Sequence, residues 1–131
     1  MKRAYPVILT PEEGTILAYF PDFDTGTEGT DLADAIDMSA DAIGLLGITL
    51  EDEGKPIPEP TALANVRKEN ENDVITLVSV DFSEYRRKND TRAVRRNVSL
   101  PAWLDEAARR ANINVSAILV SALKRELHIT R

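Results

Sequence analysis

The chain begins with two short runs of apolar and β-branched residues divided by turn formers. "AYPVIL" leads into "TPEEG", and "TILAYF" resumes the pattern, so residues 4 to 20 are predicted to form a hairpin. "PDFDTGTEGT" breaks the pattern with Pro, Gly, Asp and Thr and reads as a loop. Leu32, Ala35, Ile36, Ala42, Ile43 and Leu46 then recur at spacings of three and four, the period of a helix. Thr30 is placed to cap that helix, and Asp31 and Asp34 fall in its first turn. Gly44 and Gly47 should weaken its second half by about 1 kcal/mol each relative to Ala. "EDEGKPIPEP" is a polar, proline-bearing loop, and "TALANV" reads as a short helical turn. Val74 to Val80, "VITLVSV", is a strand apolar enough to be largely buried. The order strand, strand, helix, strand predicts a small antiparallel sheet with a helix on one face, an α+β layer.

Periodicity is lost in "DFSEYRRKND" and returns beyond it, which puts a linker at residues 81 to 91 between a domain at 1 to 80 and a second at 92 to 131. In the second, "RAVRRNVSLP" alternates as a strand over Ala93 to Leu100, and Pro101 stands at a helix start. Helices are predicted over about Ala102 to Ala111 and Val115 to Leu127, where Ile118, Leu119, Ala122, Leu123 and Leu127 share a face. One strand and two short helices bury too little to stand alone, whereas two copies pairing through the strand would close four helices over a common core.

The 131 residues are 43% hydrophobic and 29% charged, ordinary values for a globular chain. Cysteine is absent, which removes disulfides, thiolate metal sites and cysteine nucleophiles. The apolar run after Met1 is too short for a signal peptide, and none approaches the roughly 20 residues that span a bilayer, so a cytoplasmic location and no membrane contact are expected. The formal charge of −6 is unevenly spread. Residues 1 to 80 carry five Lys/Arg against sixteen Asp/Glu, net −11, and residues 81 to 131 carry eleven against six, net +5. Two parts with partners of opposite sign are implied.

The second domain resembles the ribbon-helix-helix fold through "RRNVSLPAWLDEAARRANINVSAILVSALKREL". In that family the outward face of a paired ribbon enters the major groove. Alternation puts Arg95, Asn97 and Ser99 on one face and Val94, Arg96, Val98 and Leu100 on the other. Arg suits guanine O6 and N7, Asn suits adenine N6 and N7, and Ser reaches either, so Arg95, Asn97 and Ser99 are candidate base readers. Arg96, on the face otherwise apolar, keeps its head in solvent or on a phosphate. Asn114 is the expected cap of the last helix, where the resemblance implies a phosphate clamp at the N-H groups of Val115 and Ser116.

The whole chain resembles the HicB family of antitoxins, on "YPVIL", "AYFPDFD", "TEGTDLADAIDMSADAIGLL", "EDEGKPIPEP" and "VSVDFSEYRRK". The resemblance implies a partial RNase H-like N-terminal domain that covers a small basic RNA-cleaving toxin, HicA, with contacts at Tyr19, Phe20, Asp22, Phe23 and Asp24. It also implies operator DNA as a second partner, with the chain a homodimer through its C-terminal strand and tetramers left open. Neutralising a toxin requires no catalysis, so no catalytic residue, cofactor or metal is expected. Two competing readings stand beside this one. A stand-alone transcription regulator would use its first domain for sensing or oligomerisation. A metal-dependent nuclease would need Asp22, Asp24, Asp31, Asp34 and Asp37 to converge, although Asp31, Asp34 and Asp37 are accounted for as first-turn and solvent-face residues of a helix.

Overall fold

The computed structural model describes residues 1–89 and 93–129. They fall into two compact units, Met1–Arg92 and Ala93–Arg131, each with its own internal contacts. Among the described residues no helix is long and apolar enough to cross a membrane.

The N-terminal unit is built on a four-stranded antiparallel sheet in the order β3-β2-β1-β4, formed by β1 (Lys2–Glu12), β2 (Thr15–Phe20), β3 (Thr25–Gly29) and β4 (Val74–Asp81). Gly14, with φ of 76°, makes the tight turn between β1 and β2. Strand β1 is central, paired on one side along Ile8 to Glu12 and on the other along Lys2 to Leu9. Tyr5, Val7 and Leu9 point from it into a core completed by Ala18, Phe20, Val78, Val80 and Phe82. Helix α1 (Leu32–Asp52) closes this core with Ala35 and Ile43.

Several local expectations change. Residues 25 to 29, read as loop from their composition, form β3, held to β2 by backbone pairing with the register Leu17↔Glu28 and Tyr19↔Gly26. The helix cap is Asp31, one residue beyond Thr30. Its side chain accepts from the Asp34 N-H at 2.8 Å, and the Asp34 carboxylate accepts from the Thr30 N-H at 2.8 Å. Two backbone donors are thereby satisfied by reciprocal carboxylates at the positive end of the helix dipole. Strand β4 alternates instead of being buried throughout, with Val78 and Val80 inside and Leu77 outside.

The largest correction concerns the expected linker. Residues 82 to 89 form α2 (Phe82–Asn89), a helix of the N-terminal unit. The Phe82 ring is buried against Gly47 and the Tyr85 ring lies against Gly44, so closely that a Cβ at either glycine would overlap the ring. The glycines that weaken α1 as an isolated helix are where α2 packs. Arg86 reinforces the contact by donating to the Ile48 carbonyl at 3.2 Å and pairing with Glu51 at 3.4 Å and Asp52 at 3.0 Å.

The polar stretch after α1 is fastened to the sheet. Arg3 Nη1 donates to the carbonyls of Ile57 and Pro58, each at 3.1 Å, and the Tyr5 hydroxyl donates to Pro58 O at 2.7 Å. A short helical turn at Leu63–Asn65 follows. Asp73 then accepts from Thr10 Oγ1 at 2.7 Å and from the N-H groups of Glu69 and Asn70, which hold its carboxyl below the usual carboxylate range.

The C-terminal unit contains α3 (Ala102–Arg110) and α4 (Val115–Glu126). The Pro101 carbonyl accepts from the Leu104 and Asp105 N-H groups at 3.0 Å, and the Asn114 side chain caps α4 by accepting from the Ala117 N-H at 3.0 Å. Asn112, at φ of 55°, turns the chain between the helices. The expected strand at Ala93 to Leu100 is not formed: these residues belong to no strand or helix, and all are exposed. A strand exists by hydrogen bonding to a neighbour, and the described residues of this unit offer none. Neither helix has a buried residue.

The packing of α2 on α1 yields a test. Gly47→Ala should destabilise the protein by about 1 to 3 kcal/mol through overlap with Phe82, reversing the gain of about 1 kcal/mol that Ala brings to an unhindered helix. Urea denaturation of the two proteins measures the sign directly.

Candidate functional site

The β2–β3 connection carries the residues for which toxin contact was expected, and the structure divides them. Phe20 is fully buried and serves the core, which corrects its assignment to a contact surface. The N-H groups of Phe23 and Asp24 return to Phe20 O at 3.1 and 2.9 Å, closing a tight turn. Phe23 packs edge-on against Tyr5 with ring centroids 5.1 Å apart. Asp22 turns toward the loop after α1 and accepts from the Thr61 N-H at 3.1 Å and from Thr61 Oγ1 at 2.6 Å. These three residues give the connection its shape.

Tyr19 and Asp24 are exposed. The Tyr19 hydroxyl donates to Asp24 Oδ1 at 2.6 Å, and Asp24 takes the left-handed conformation, φ 48°, to meet it. That hydrogen bond, with desolvation and the neighbouring negative charges of Asp24 and Glu69, raises the phenol pKa above its ordinary value.

The aspartates do not gather into a metal site. Asp22 is committed to Thr61, Asp24 to Tyr19, and Asp31 and Asp34 to the start of α1. Among the described residues no group of three or more His, Asp or Glu side chains could hold a metal ion.

In the C-terminal unit Arg95, Arg96, Asn97 and Ser99 are all exposed on the segment before α3. With that segment in no regular element, the division into inward and outward faces is not expressed in a single chain. Asn114, Val115 and Ser116 are brought together at the start of α4, exposed, with Asn114 Oδ1 engaged by Ala117 N. The first N-H groups of a helix have no intrahelical carbonyl to bond, so this end offers donors to an anion.

An acidic α+β unit followed by a small two-helix unit defines the class of this chain. Residues 5–123 match the family of HicB-like antitoxins of bacterial toxin-antitoxin systems, and the chain belongs to that family. A chain in the solved toxin-antitoxin complex from Streptococcus pneumoniae is 23% identical, with a TM-score of 0.61, over 96% of this chain and 99% of that one. The antitoxin HicB of Burkholderia pseudomallei is 23% identical with a TM-score of 0.55, covering 98% of each chain. A HicB3 antitoxin is 24% identical with a TM-score of 0.52 over 95% of this chain and 97% of its own. These likenesses bear on the fold. No curated protein sequence matches the chain.

The contrast between Asp22 and Asp24 can be measured. Asp22→Ala should lower unfolding free energy by about 1 to 3 kcal/mol, because Thr61 loses a charged acceptor for two donors. Asp24→Asn, at an exposed position whose left-handed conformation Asn also adopts, should change it by less than about 1 kcal/mol. Equal losses in chemical denaturation would contradict this division of roles.

Proposed function

We propose that this protein is an antitoxin and autorepressor without catalytic activity, acting in the cytoplasm. Its N-terminal unit binds and covers a small basic ribonuclease toxin of the HicA kind, and its C-terminal unit pairs with a second copy to bind operator DNA before its own genes. The observation that carries this reading is the distribution of charge between the two units. The unit at 1–92 has nine Lys/Arg against nineteen Asp/Glu, net −10, and the unit at 93–131 has seven against three, net +4.

A toxin that cleaves RNA presents a positive surface to phosphates. A domain of net −10 is attracted to that surface, repels nucleic acid and competes with the toxin's substrate. The C-terminal unit has the opposite sign and carries Arg95, Asn97 and Ser99, whose donors and acceptors match base edges in a major groove. Val98, Leu100, Ile118, Leu119 and Leu123 are exposed in a single chain, and a second copy would cover them. Pairing of two Ala93 to Leu100 segments would create the ribbon whose alternate faces these roles require.

The two activities should separate by substitution in the full chain. Asn97→Ala should weaken binding to the DNA upstream of its gene by about 1 to 3 kcal/mol and relax preference at one base pair, while inhibition of RNA cleavage by the toxin stays unchanged. Gel-shift and RNA-cleavage assays on the same preparation measure both. Absence of operator binding by the wild-type protein would remove the repressor half of the proposal, and absence of toxin inhibition would remove the other.

A further inference from the structure

The sheet has two unlike faces. The one under α1 carries Tyr5, Val7, Leu9, Phe20, Val78 and Val80. On the other, alternation and register place Ile8 of β1 directly between Tyr19 of β2 and Ile75 of β4. Leu17 lies two residues along β2 from Tyr19, and Leu77 two residues along β4 from Ile75, on the same face. The result is an apolar band across three adjacent strands in which Leu17, Tyr19 and Leu77 are 41%, 43% and 48% exposed. Exposed apolar residues on α1 are arranged differently: Met38 and Leu45 lie on a helix surface that also carries Asp34, Asp37 and Asp41.

The edge of the band is acidic. Glu28 stands directly opposite Leu17 in the register, and the Asp24 carboxylate holds the Tyr19 hydroxyl. Glu69 lies close enough for its charge to act on the same phenol. Gly26, opposite Tyr19, contributes no side chain beside the ring, and a Cβ there would overlap the Ala18 carbonyl oxygen.

We propose that this outer face of the sheet is the docking surface for the toxin, and that it takes a partner whose apolar patch is rimmed by basic side chains. The inference rests on the antitoxin reading and assigns it a surface. Charge selects the occupant. Two copies meeting face to face would oppose Asp24, Glu28 and Glu69 with their own duplicates within a unit of net −10. DNA and RNA phosphates are repelled by the same carboxylates. A basic protein gains both from covering the band and from the rim, and the rim favours fast encounter.

The test uses the full chain and the product of the small basic reading frame beside its gene, with affinity measured by calorimetry and inhibition by RNA cleavage. Leu77→Lys and Leu17→Lys put an ammonium group into the apolar band at exposed positions. Each should weaken toxin binding by about tenfold or more with the unfolding midpoint close to wild type. Leu45→Lys, at a 54% exposed position on α1, should alter affinity by less than about twofold. If both band variants bind as wild type does, or if Leu45→Lys loses as much as they do, the assignment of this face is overturned while the antitoxin reading stands. A wild-type protein that neither binds nor inhibits the toxin overturns the reading beneath it. Band variants that alter the association state in ultracentrifugation but not toxin affinity would assign the face to self-association and overturn the proposal.

Discussion

The N-terminal unit depends on the position of β1 between two hydrogen-bonded neighbours. It pairs with β4 along Lys2 to Leu9 and with β2 along Ile8 to Glu12, so Ile8 and Leu9 have a strand on both sides, and all five residues from Tyr5 to Leu9 are buried. β2 and β4 take their register from it, β3 takes its register from β2, and α1 covers the side chains that β1 directs to one face. The same strand anchors the irregular segments. Arg3 and Tyr5 hold the loop after α1, and Thr10 holds Asp73 before β4. A strand that is both the hydrogen-bonding centre of the sheet and the fastening point for two loops explains how a unit with so much polar loop remains compact.

The elements that were legible in the sequence are those whose burial is written as a period. β1, β2, β4, α1, α3 and α4 each repeat apolar residues at two or at three and four, and turn formers separate them. β3 was illegible because its contribution is backbone pairing: Thr25 to Gly29 bury little and show no apolar alternation. α2 was illegible because its apolar attachment is only the Phe82 and Tyr85 rings, and its third anchor, Arg86, lies within a run of charge. Gly44 and Gly47 were read correctly for local propensity and wrongly for tertiary role, since the missing side chains are what the rings of α2 occupy. The helix start was missed by one residue because Thr30 and Asp31 are both good caps, and only the bond from Asp34 N distinguishes them.

The candidate site was legible through the family resemblance more than through position. The resemblance pointed to Tyr19, Phe20, Asp22, Phe23 and Asp24, and of these Phe20 is in the core, Asp22 bonds to Thr61 and Phe23 packs on Tyr5. The outer band escaped notice because its members come from three strands, and a single apolar residue at every second position of a strand does not say which face is covered. Only the register aligns Tyr19, Ile8 and Ile75. The strand expected at Ala93 to Leu100 illustrates a different limit, for alternation alone makes no strand, and among the described residues none pairs with this segment.

The two units therefore stand in different relations to concentration. The N-terminal unit has a buried core of its own, in which Tyr5, Phe20, Phe82 and Ile43 are inaccessible to solvent or nearly so. The helices of the C-terminal unit contain no buried residue, and 39 residues with two helices are too few to supply a stable core unaided. On the proposed reading, ordering of the ribbon, burial of the α4 face and readout of DNA form one equilibrium that is second order in protein, whereas toxin covering is first order in it. On that reading operator binding falls more steeply with dilution than toxin covering does, because only the first requires two copies.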